Sequence, residues 1–252
     1  NIASQEENAQ YNNLTIRQAD LNQVLLKDIL VKKLNEINSY EYQGKEYKFT
    51  PDTIGQAIKD LNASLLTGLI NTNETIYDLL TIGKSYTQRL VDGSTRSFDI
   101  KFIDFENPEK NDFYVTEEYS VMRSNGKNTA RPDIVMFING IPLAIIECKD
   151  VGGVSITQGI SQNIRNQKPE YIPELMKFIQ ILVSANKNAV KYATVGTPEK
   201  FWMVWNEKDT EWQKNILSKV VVGREITKQD RDIVSLFEPT RFLEIIKDFI
   251  IF

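Results

Sequence analysis

Arg131-Pro132-Asp133-Ile134-Val135-Met136-Phe137-Ile138-Asn139-Gly140-Ile141-Pro142-Leu143-Ala144-Ile145-Ile146-Glu147-Cys148-Lys149 is the stretch on which the fold turns. Two nearly continuous apolar runs, Ile134 to Ile138 and Leu143 to Cys148, flank an Asn-Gly pair. Runs of that length bounded by turn residues read as neighbouring strands buried on both faces of a sheet. Asp133, Glu147 and Lys149 break the apolar texture. On a strand, residues two apart share a face, so Glu147 and Lys149 project side by side while Cys148 faces away. Burying such charges is costly unless they pair or hold a cation.

Working outward, the strand pattern spreads. Phe98, Ile100 and Phe102 alternate with polar residues and, from Arg96 on, are read as entering the central sheet; Phe113 to Val121 is extended. After Gly152-Gly153 the pattern turns helical from about Ile156. Ile181 to Ser184, Tyr192 to Val195 and Phe201 to Trp205 read as further strands. Upstream, Leu21, Val24, Leu25, Ile29 and Leu34 recur at helical spacing and place a helix at about 20 to 37. Tyr40 to Phe49 suits a short hairpin around Gly44, and Pro51-Asp52-Thr53 starts a set of helices running to Leu80. Residues 1–13 are polar and read as a loose lead-in. The expected fold class is α/β (α+β), a mixed β-sheet flanked by helices, in three parts: a helical N-terminal part over 1–95, a core over 96–215 and a helical segment over 216–252.

Composition removes much chemistry. The 252 residues contain no histidine, so mechanisms needing an imidazole as base, ligand or relay are excluded. One cysteine, Cys148, excludes an internal disulfide and a multi-cysteine zinc site, and agrees with a reducing compartment. No apolar run approaches the roughly 20 residues that span a bilayer, and Asn1 to Ser4 begin nothing like a secretory signal. The expectation is a cytoplasmic protein with no membrane contact. With 34 acidic and 30 basic residues the net charge is −4, so any nucleic acid is held by a local patch or by neighbouring domains rather than by bulk charge. The apolar ending Phe249-Ile250-Ile251-Phe252 suggests a piece of a longer protein.

What remains is carboxylate, amine and oxygen-ligated metal, which favours Mg²⁺ or Mn²⁺. Two carboxylates and a lysine in one sheet suit phosphodiester hydrolysis: the acids hold the ion, and the lysine orients a water and offsets transition-state charge. An acid–lysine ion pair at the end of an ordinary strand is the plainer account of the same residues. A second polar feature is Gln158, Gln162, Arg165 and Asn166, assigned to one side of the following helix with Ile156, Ile160 and Ile164 on the other. It reads either as a solvated face or as a hydrogen-bonding stripe toward nucleic acid or the nucleophilic water. Gly83-Lys84-Ser85 ends like a phosphate-binding loop, but Asp78 occupies the first glycine position. Trp202, Trp205 and Trp212 are expected in the core rather than as stacking platforms.

Register decides whether the acids can meet. A two-residue Asn139-Gly140 loop pairs Ile138 with Ile141, and an unbroken ladder then sets Asp133 opposite Ile146, with Asp133 and Glu147 on opposite faces. A shared metal site therefore predicts either a three-residue loop, Asn139-Gly140-Ile141, pairing Ile138 with Pro142, or a β-bulge between Ile134 and Ile146.

These residues resemble the nuclease domain of the R (HsdR, motor) subunit of type I restriction enzymes. The carrying stretches are Ile103-Asp104-Phe105-Glu106-Asn107-Pro108, Asn111-Asp112-Phe113, Arg131-Pro132-Asp133-Ile134-Val135, Asn139-Gly140-Ile141-Pro142-Leu143 and Glu147-Cys148-Lys149. Looser similarity runs through Gln162 to Gln167 and Ile172 to Leu175 as far as Trp205. The resemblance implies a restriction-endonuclease-like PD-(D/E)xK core. It implies Asp133, Glu147, Lys149 and Gln162 as catalytic residues, and Asp133, Glu147 and the Cys148 backbone carbonyl as ligands of Mg²⁺, which Mn²⁺ can replace. Gln162, Arg165 and Asn166 become DNA contacts. The family's Gln-x-x-x-Tyr motif falls on Gln162 and Asn166, so the second position departs. Superfamily members often add an acid from an early helix, for which Asp28 is the nearest candidate. The implied partners are double-stranded DNA and the methyltransferase and specificity subunits of a type I restriction complex. ATP belongs only to the full-length parent, since no complete Walker motif occurs here and 216–252 leads toward an absent helicase domain. The expected activity is a type I site-specific deoxyribonuclease; the alternatives are a silent DNA-binding or docking domain on the same fold and a repair or junction nuclease of the same superfamily.

Overall fold

The computed structural model describes residues 21–149, 156–206 and 210–252. The helical spacing upstream becomes α1 (Lys27–Ile37), which starts later than expected and buries Leu30 and Leu34. Lys33 is buried with them, its amine 2.8 Å from Glu36 and 3.0 Å from Asp112, so the charge is paired where it leaves water. The aromatic hairpin is β1 (Tyr40–Tyr42) and β2 (Lys45–Tyr47), turned through Gln43 and Gly44, both at positive φ. Thr50 caps α2 (Pro51–Leu61) by accepting from the Thr53 N–H, with Pro51 in the first turn, where no N–H is missed. A 3₁₀ turn at Leu65–Thr67 leads into α3 (Leu69–Thr81).

One expectation fails next. Gly83-Lys84-Ser85 opens a strand, β3 (Lys84–Arg89), which pairs antiparallel with β4 (Thr95–Ile100) as a separate two-stranded sheet. Phe98 and Ile100 therefore do not enter the central sheet. Alternation reports a half-buried strand but not its partner, and the nearest strand in sequence wins. The Gln88 side chain, fully buried, ties this hairpin to α2 by accepting from Thr53 Oγ1 at 2.8 Å. The position 95/96 falls just inside β4, and 215/216 falls inside α6 (Glu211–Val220).

The central sheet has six strands in the order β12-β11-β10-β9-β8-β5. They are β5 (Phe113–Glu117), β8 (Ile134–Ile138), β9 (Ile141–Cys148), β10 (Ile181–Asn186), β11 (Ala189–Ala193) and the short β12 (Met203–Val204). Only β9 and β10 are parallel, joined through α4 (Ile156–Asn166) and the single-turn α5 (Pro173–Met176). That βαβ unit makes the sheet mixed, as expected. Between β5 and β8 a small hairpin, β6 (Val121–Met122) with β7 (Thr129–Ala130), stands off the sheet. On the far side α6, α7 (Lys228–Leu236) and α8 (Pro239–Asp248) complete the fold, α8 burying Phe242, Leu243, Ile245 and Ile246. Trp202 is buried, and the Trp205 indole N–H donates to Ser235 Oγ at 3.0 Å, so both serve structure.

The β8–β9 turn combines both registers considered above. Asn139 (φ 56) and Gly140 (φ 84) form a two-residue loop that pairs Ile138 with Ile141, so the three-residue loop is wrong. The register then shifts: Phe137 pairs with Pro142, but Met136 pairs with Ala144. Leu143 is the extra residue, a bulge that falls within the expected span of Ile134 to Ile146. Pro142 fits there because it has no N–H to give a ladder.

The turn is also a hub. Asn139 is fully buried; its amide donates to Phe102 O at 2.9 Å and Asn111 Oδ1 at 2.8 Å, and its Oδ1 accepts from the Asp112 N–H. Asn111 bonds both the N–H and carbonyl of Asp104, whose carboxylate caps Glu106 and Asn107. The motif residues between 104 and 112 thus build a loop, not a reactive centre. Gly140 accepts from the Leu26 N–H, and a Cβ there would lie 2.6 Å from the Leu26 carbonyl oxygen. Gly93 has the same φ of 84 with nothing within 4 Å of its would-be Cβ. Gly140→Ala should therefore lower stability by about 2–4 kcal/mol and Gly93→Ala by about 1 kcal/mol. Urea midpoints at unchanged m-value are the measurement; equal losses would mean that α1 does not depend on this contact.

Candidate active site

The bulge sets the phase of everything beyond it. With Ile134 opposite Ile146, the next step of the ladder puts Asp133 opposite Glu147. The Asp133 backbone is fixed by its carbonyl, which accepts from the Glu118 N–H at 2.8 Å. Its carboxylate accepts from the Cys148 N–H at 2.8 Å, closing the gap between the strand ends. In extended backbone the N–H and carbonyl of one residue leave on the same side, so the Cys148 carbonyl also faces the Asp133 side of β9.

Lys149 leaves β9 with its N–H still bonded to Ala185 O, which holds it on the sheet. Its ammonium lies 3.6 Å from Asp133 Oδ2 and 3.6 Å from Glu147 Oε2, and donates to Gln162 Oε1 at 3.1 Å. One amine thus joins the two acids to α4. All four residues singled out as catalytic, Asp133, Glu147, Lys149 and Gln162, converge here.

Glu147 has no exposed surface, and among the described residues neither of its oxygens has a hydrogen-bond partner. Burial, then the Asp133 charge beside it, pushes its pKa up to about 8, against the partial relief offered by Lys149. The depth has a structural origin. On the parallel neighbour strand Ser184 lies level with Glu147, and its hydroxyl donates to Ile156 O at 2.7 Å. Above both passes Gly159 of α4, where a Cβ would fall 3.4 Å from Glu147 Cβ and still closer to Ser184 Oγ. The missing side chain lets the helix close over the carboxylate. Asn163, fully buried, holds it there by donating to Val183 O at 3.1 Å. Sequence reading missed Gly159, Asn163 and Ser184. A lone hydroxyl in the apolar run Ile181 to Ala185 was the available signal.

The polar face of α4 holds with one correction. Gln158, Gln162 and Arg165 line an open depression of about 410 Å³ with Lys149 and Ser161. Asn166 is buried instead, because the chain after α4 folds back over the helix end, with the Ile172 N–H donating to Asn166 O. It does not share the open face with the others. Asp28 also falls outside. It is exposed near the start of α1, beside the Gly140 turn, and seven residues of β9 separate that turn from Glu147, roughly 20 Å of strand. Residues 150–155, which include Gly152-Gly153, lie outside the described residues. No helix among the described residues is long and apolar enough to cross a membrane.

The donor set suits a divalent cation. A buried carboxylate with no hydrogen bond, a second carboxylate facing it and an outward-turned backbone carbonyl are hard oxygen ligands short of positive charge. Among the described residues no third acid or thiol joins them, so water and carbonyl oxygen would complete the shell.

An Asp on one strand and Glu-x-Lys on its partner, set in a mixed sheet with a helix closed over them, define the α+β nuclease fold as a class. Within that class the chain belongs to a particular family, the type I restriction enzyme R protein N terminus, whose model matches residues 2–201. Relatives include the putative type I restriction enzyme MjaIXP endonuclease subunit of Methanocaldococcus jannaschii, 30% identical over 88% of this chain and 23% of its own length. The putative MjaVIIP endonuclease subunit of the same organism is 35% identical over 60% of this chain and 13% of its own. The HindI endonuclease subunit of Haemophilus influenzae is 25% identical over 79% and 18%. The chain therefore spans less than a quarter of the length of these relatives.

The buried acid has a stability signature. Its pKa is near 8 in the fold and about 4.5 in the unfolded chain, so the native state binds the extra proton between those values. In chelator, wild-type stability should be full below about pH 4.5 and fall by a few kcal/mol as pH rises through 8. Glu147→Gln should flatten that loss. Denaturation at pH 6 and pH 9 decides it, and a wild type equally stable at both would show that Glu147 ionises freely.

Proposed function

We propose that the chain is the Mg²⁺-dependent endonuclease domain of a type I restriction enzyme R subunit, hydrolysing phosphodiester bonds of double-stranded DNA. The observation that carries this is Glu147: fully buried, without a hydrogen bond, facing Asp133 and within 3.6 Å of the Lys149 amine. A structural ion pair has no need of a second acid that opposes it. Asp133, Glu147 and the Cys148 carbonyl would hold Mg²⁺, with Mn²⁺ as a substitute. The ion, when bound, polarises the phosphate and lowers the pKa of a water.

The residues do the rest. Lys149, set between both acids and Gln162, orients the attacking water and offsets charge developing on the phosphate oxygens. Gln162 fixes the amine by accepting one of its three protons, leaving the others for water and phosphate. Arg165 contacts the DNA backbone from the same face of α4. A cytoplasmic setting, the methyltransferase and specificity subunits as partners, and ATP use confined to the longer parent polypeptide all belong to this reading, as does a helical segment from about 216 leading toward a translocase. A silent docking module on the same fold would account for the family match but not for the opposed buried acids.

Plasmid nicking in millimolar Mg²⁺ or Mn²⁺, by the parent R polypeptide assembled with its partner subunits, tests the reading. Lys149→Ala should lose roughly 100-fold or more of the rate while leaving DNA binding intact. Crystals of the 252-residue chain soaked in Mn²⁺ should show an anomalous peak between Asp133 and Glu147. Undiminished nicking by Lys149→Ala, or no peak at millimolar Mn²⁺, would remove the site from the reaction.

A further inference from the structure

Beyond Arg165 the polar face of α4 runs into a group that no part of the reaction uses. The Arg165 guanidinium lies 5.3 Å from the centre of the Tyr171 ring, and that of Arg123 lies 4.6 Å from the same centre. Arg123 comes from the β6–β7 hairpin, which is fastened to this point: the Ser124 N–H donates to Tyr171 O at 2.9 Å. Among the described residues neither guanidinium has a carboxylate within ion-pair distance, although Glu170 is the immediate neighbour of Tyr171 in the chain. The Arg123 Nε is buried with no hydrogen-bond partner.

Two cations against one ring repel each other, and the ring's negative face offsets that only in part. In a chain of net charge −4, with carboxylates available, both arginines stand without an ion pair, and a shared anion would relieve their mutual repulsion. The guanidinium groups rest against the tyrosine ring, and a guanidinium held in place with terminal N–H donors to give suits bidentate contact with phosphate. The location fixes which phosphate. Arg165 shares its depression with Lys149, so the stack sits on the continuation of the site away from the two acids. The tip Ser124-Asn125-Gly126-Lys127-Asn128 is exposed and carries no acid.

We propose that Arg123 and Arg165, braced on Tyr171, form a clamp for the DNA backbone beside the scissile phosphate, with the β6–β7 hairpin as its outer jaw. The clamp rests on the nuclease reading for its choice of ligand. It positions the strand and leaves the chemistry to Lys149 and the acids. Phosphate contacts of this kind carry no base preference, as suits a cutter whose site is not chosen by this domain.

The test is duplex binding by the 252-residue chain, followed by fluorescence anisotropy in Ca²⁺ over a salt series, with Mn²⁺-dependent cutting measured separately. Arg123→Gln and Arg165→Gln should each weaken binding on the order of fivefold to tenfold and lower the slope of log K against log salt by about one. Tyr171→Phe, which keeps the ring, should bind as wild type, whereas Tyr171→Leu should lose affinity at an unchanged melting temperature. Arg123→Lys keeps the charge without the fork and should fall between. Wild-type affinity and slope in Arg123→Gln, or no duplex binding by the wild type, overturns the clamp. If binding depends on both arginines but no divalent ion supports cutting by chain or parent, the clamp stands and the nuclease reading falls.

Discussion

A single extra residue, Leu143, determines whether this molecule has a site at all. Strand side chains alternate with period two, so a ladder continued without interruption from the Asn139-Gly140 turn would send Asp133 and Glu147 to opposite faces of the sheet. The bulge shifts β9 by one position against β8, and two carboxylates that repel come to face each other. The rest answers that conflict. Lys149 is placed between them, Cys148 lends its N–H to Asp133, and α4 closes over Glu147 because Gly159 has no side chain to keep it away.

The electrostatics follow from the same geometry. A carboxylate without solvent or hydrogen bond is stable only as the neutral acid or as a ligand, and the Glu147 pKa near 8 expresses that choice. Removing Gly159 or Ser184 from the packing would alter the depth of the pocket rather than its charges. The opposed acids are thus a property of sheet register, whereas the strength of their demand for a cation is a property of helix packing. Arg165 lies on that same helix and lines the depression with Lys149, so a displacement of α4 would reach both the amine and the guanidinium at once.

Much of this was legible in the residues. Glu147 and Lys149 two apart at the end of an apolar strand could only project together, and Asp133 at the head of the preceding strand needed only the right phase. The need for a phase shift was readable too, because the simple turn gave a useless register. Its position was not, since Ile134 to Ile138 and Ile141 to Ile146 are apolar on both faces and tolerate any alignment. Pro142 was the overlooked clue. The β3–β4 hairpin was placed in the wrong sheet because alternation carries no record of partner. Asn166 was placed on the wet side because an angle measured along a helix ignores the loop that returns over its end.

The Asn139 hub and the acids occupy opposite ends of one hairpin, and this separates what makes the chain recognisable from what would make it work. Asp104, Asn107, Asn111, Asn139 and Gly140 hold a loop and a turn together roughly 20 Å from Glu147, and they supply much of the motif by which kinship is noticed. Loss of any of them endangers the turn and loop on which α1 rests; loss of Lys149 spares that end and instead leaves Asp133 and Glu147 without the amine between them. A lineage released from the need to cut would be free to change the end that holds the acids and would keep its family likeness for as long as it folded. On the reading proposed above, a count made by that signature would include copies that no longer cut, and the positions to inspect would be Asp133, Glu147 and Lys149 at the far end of the strands.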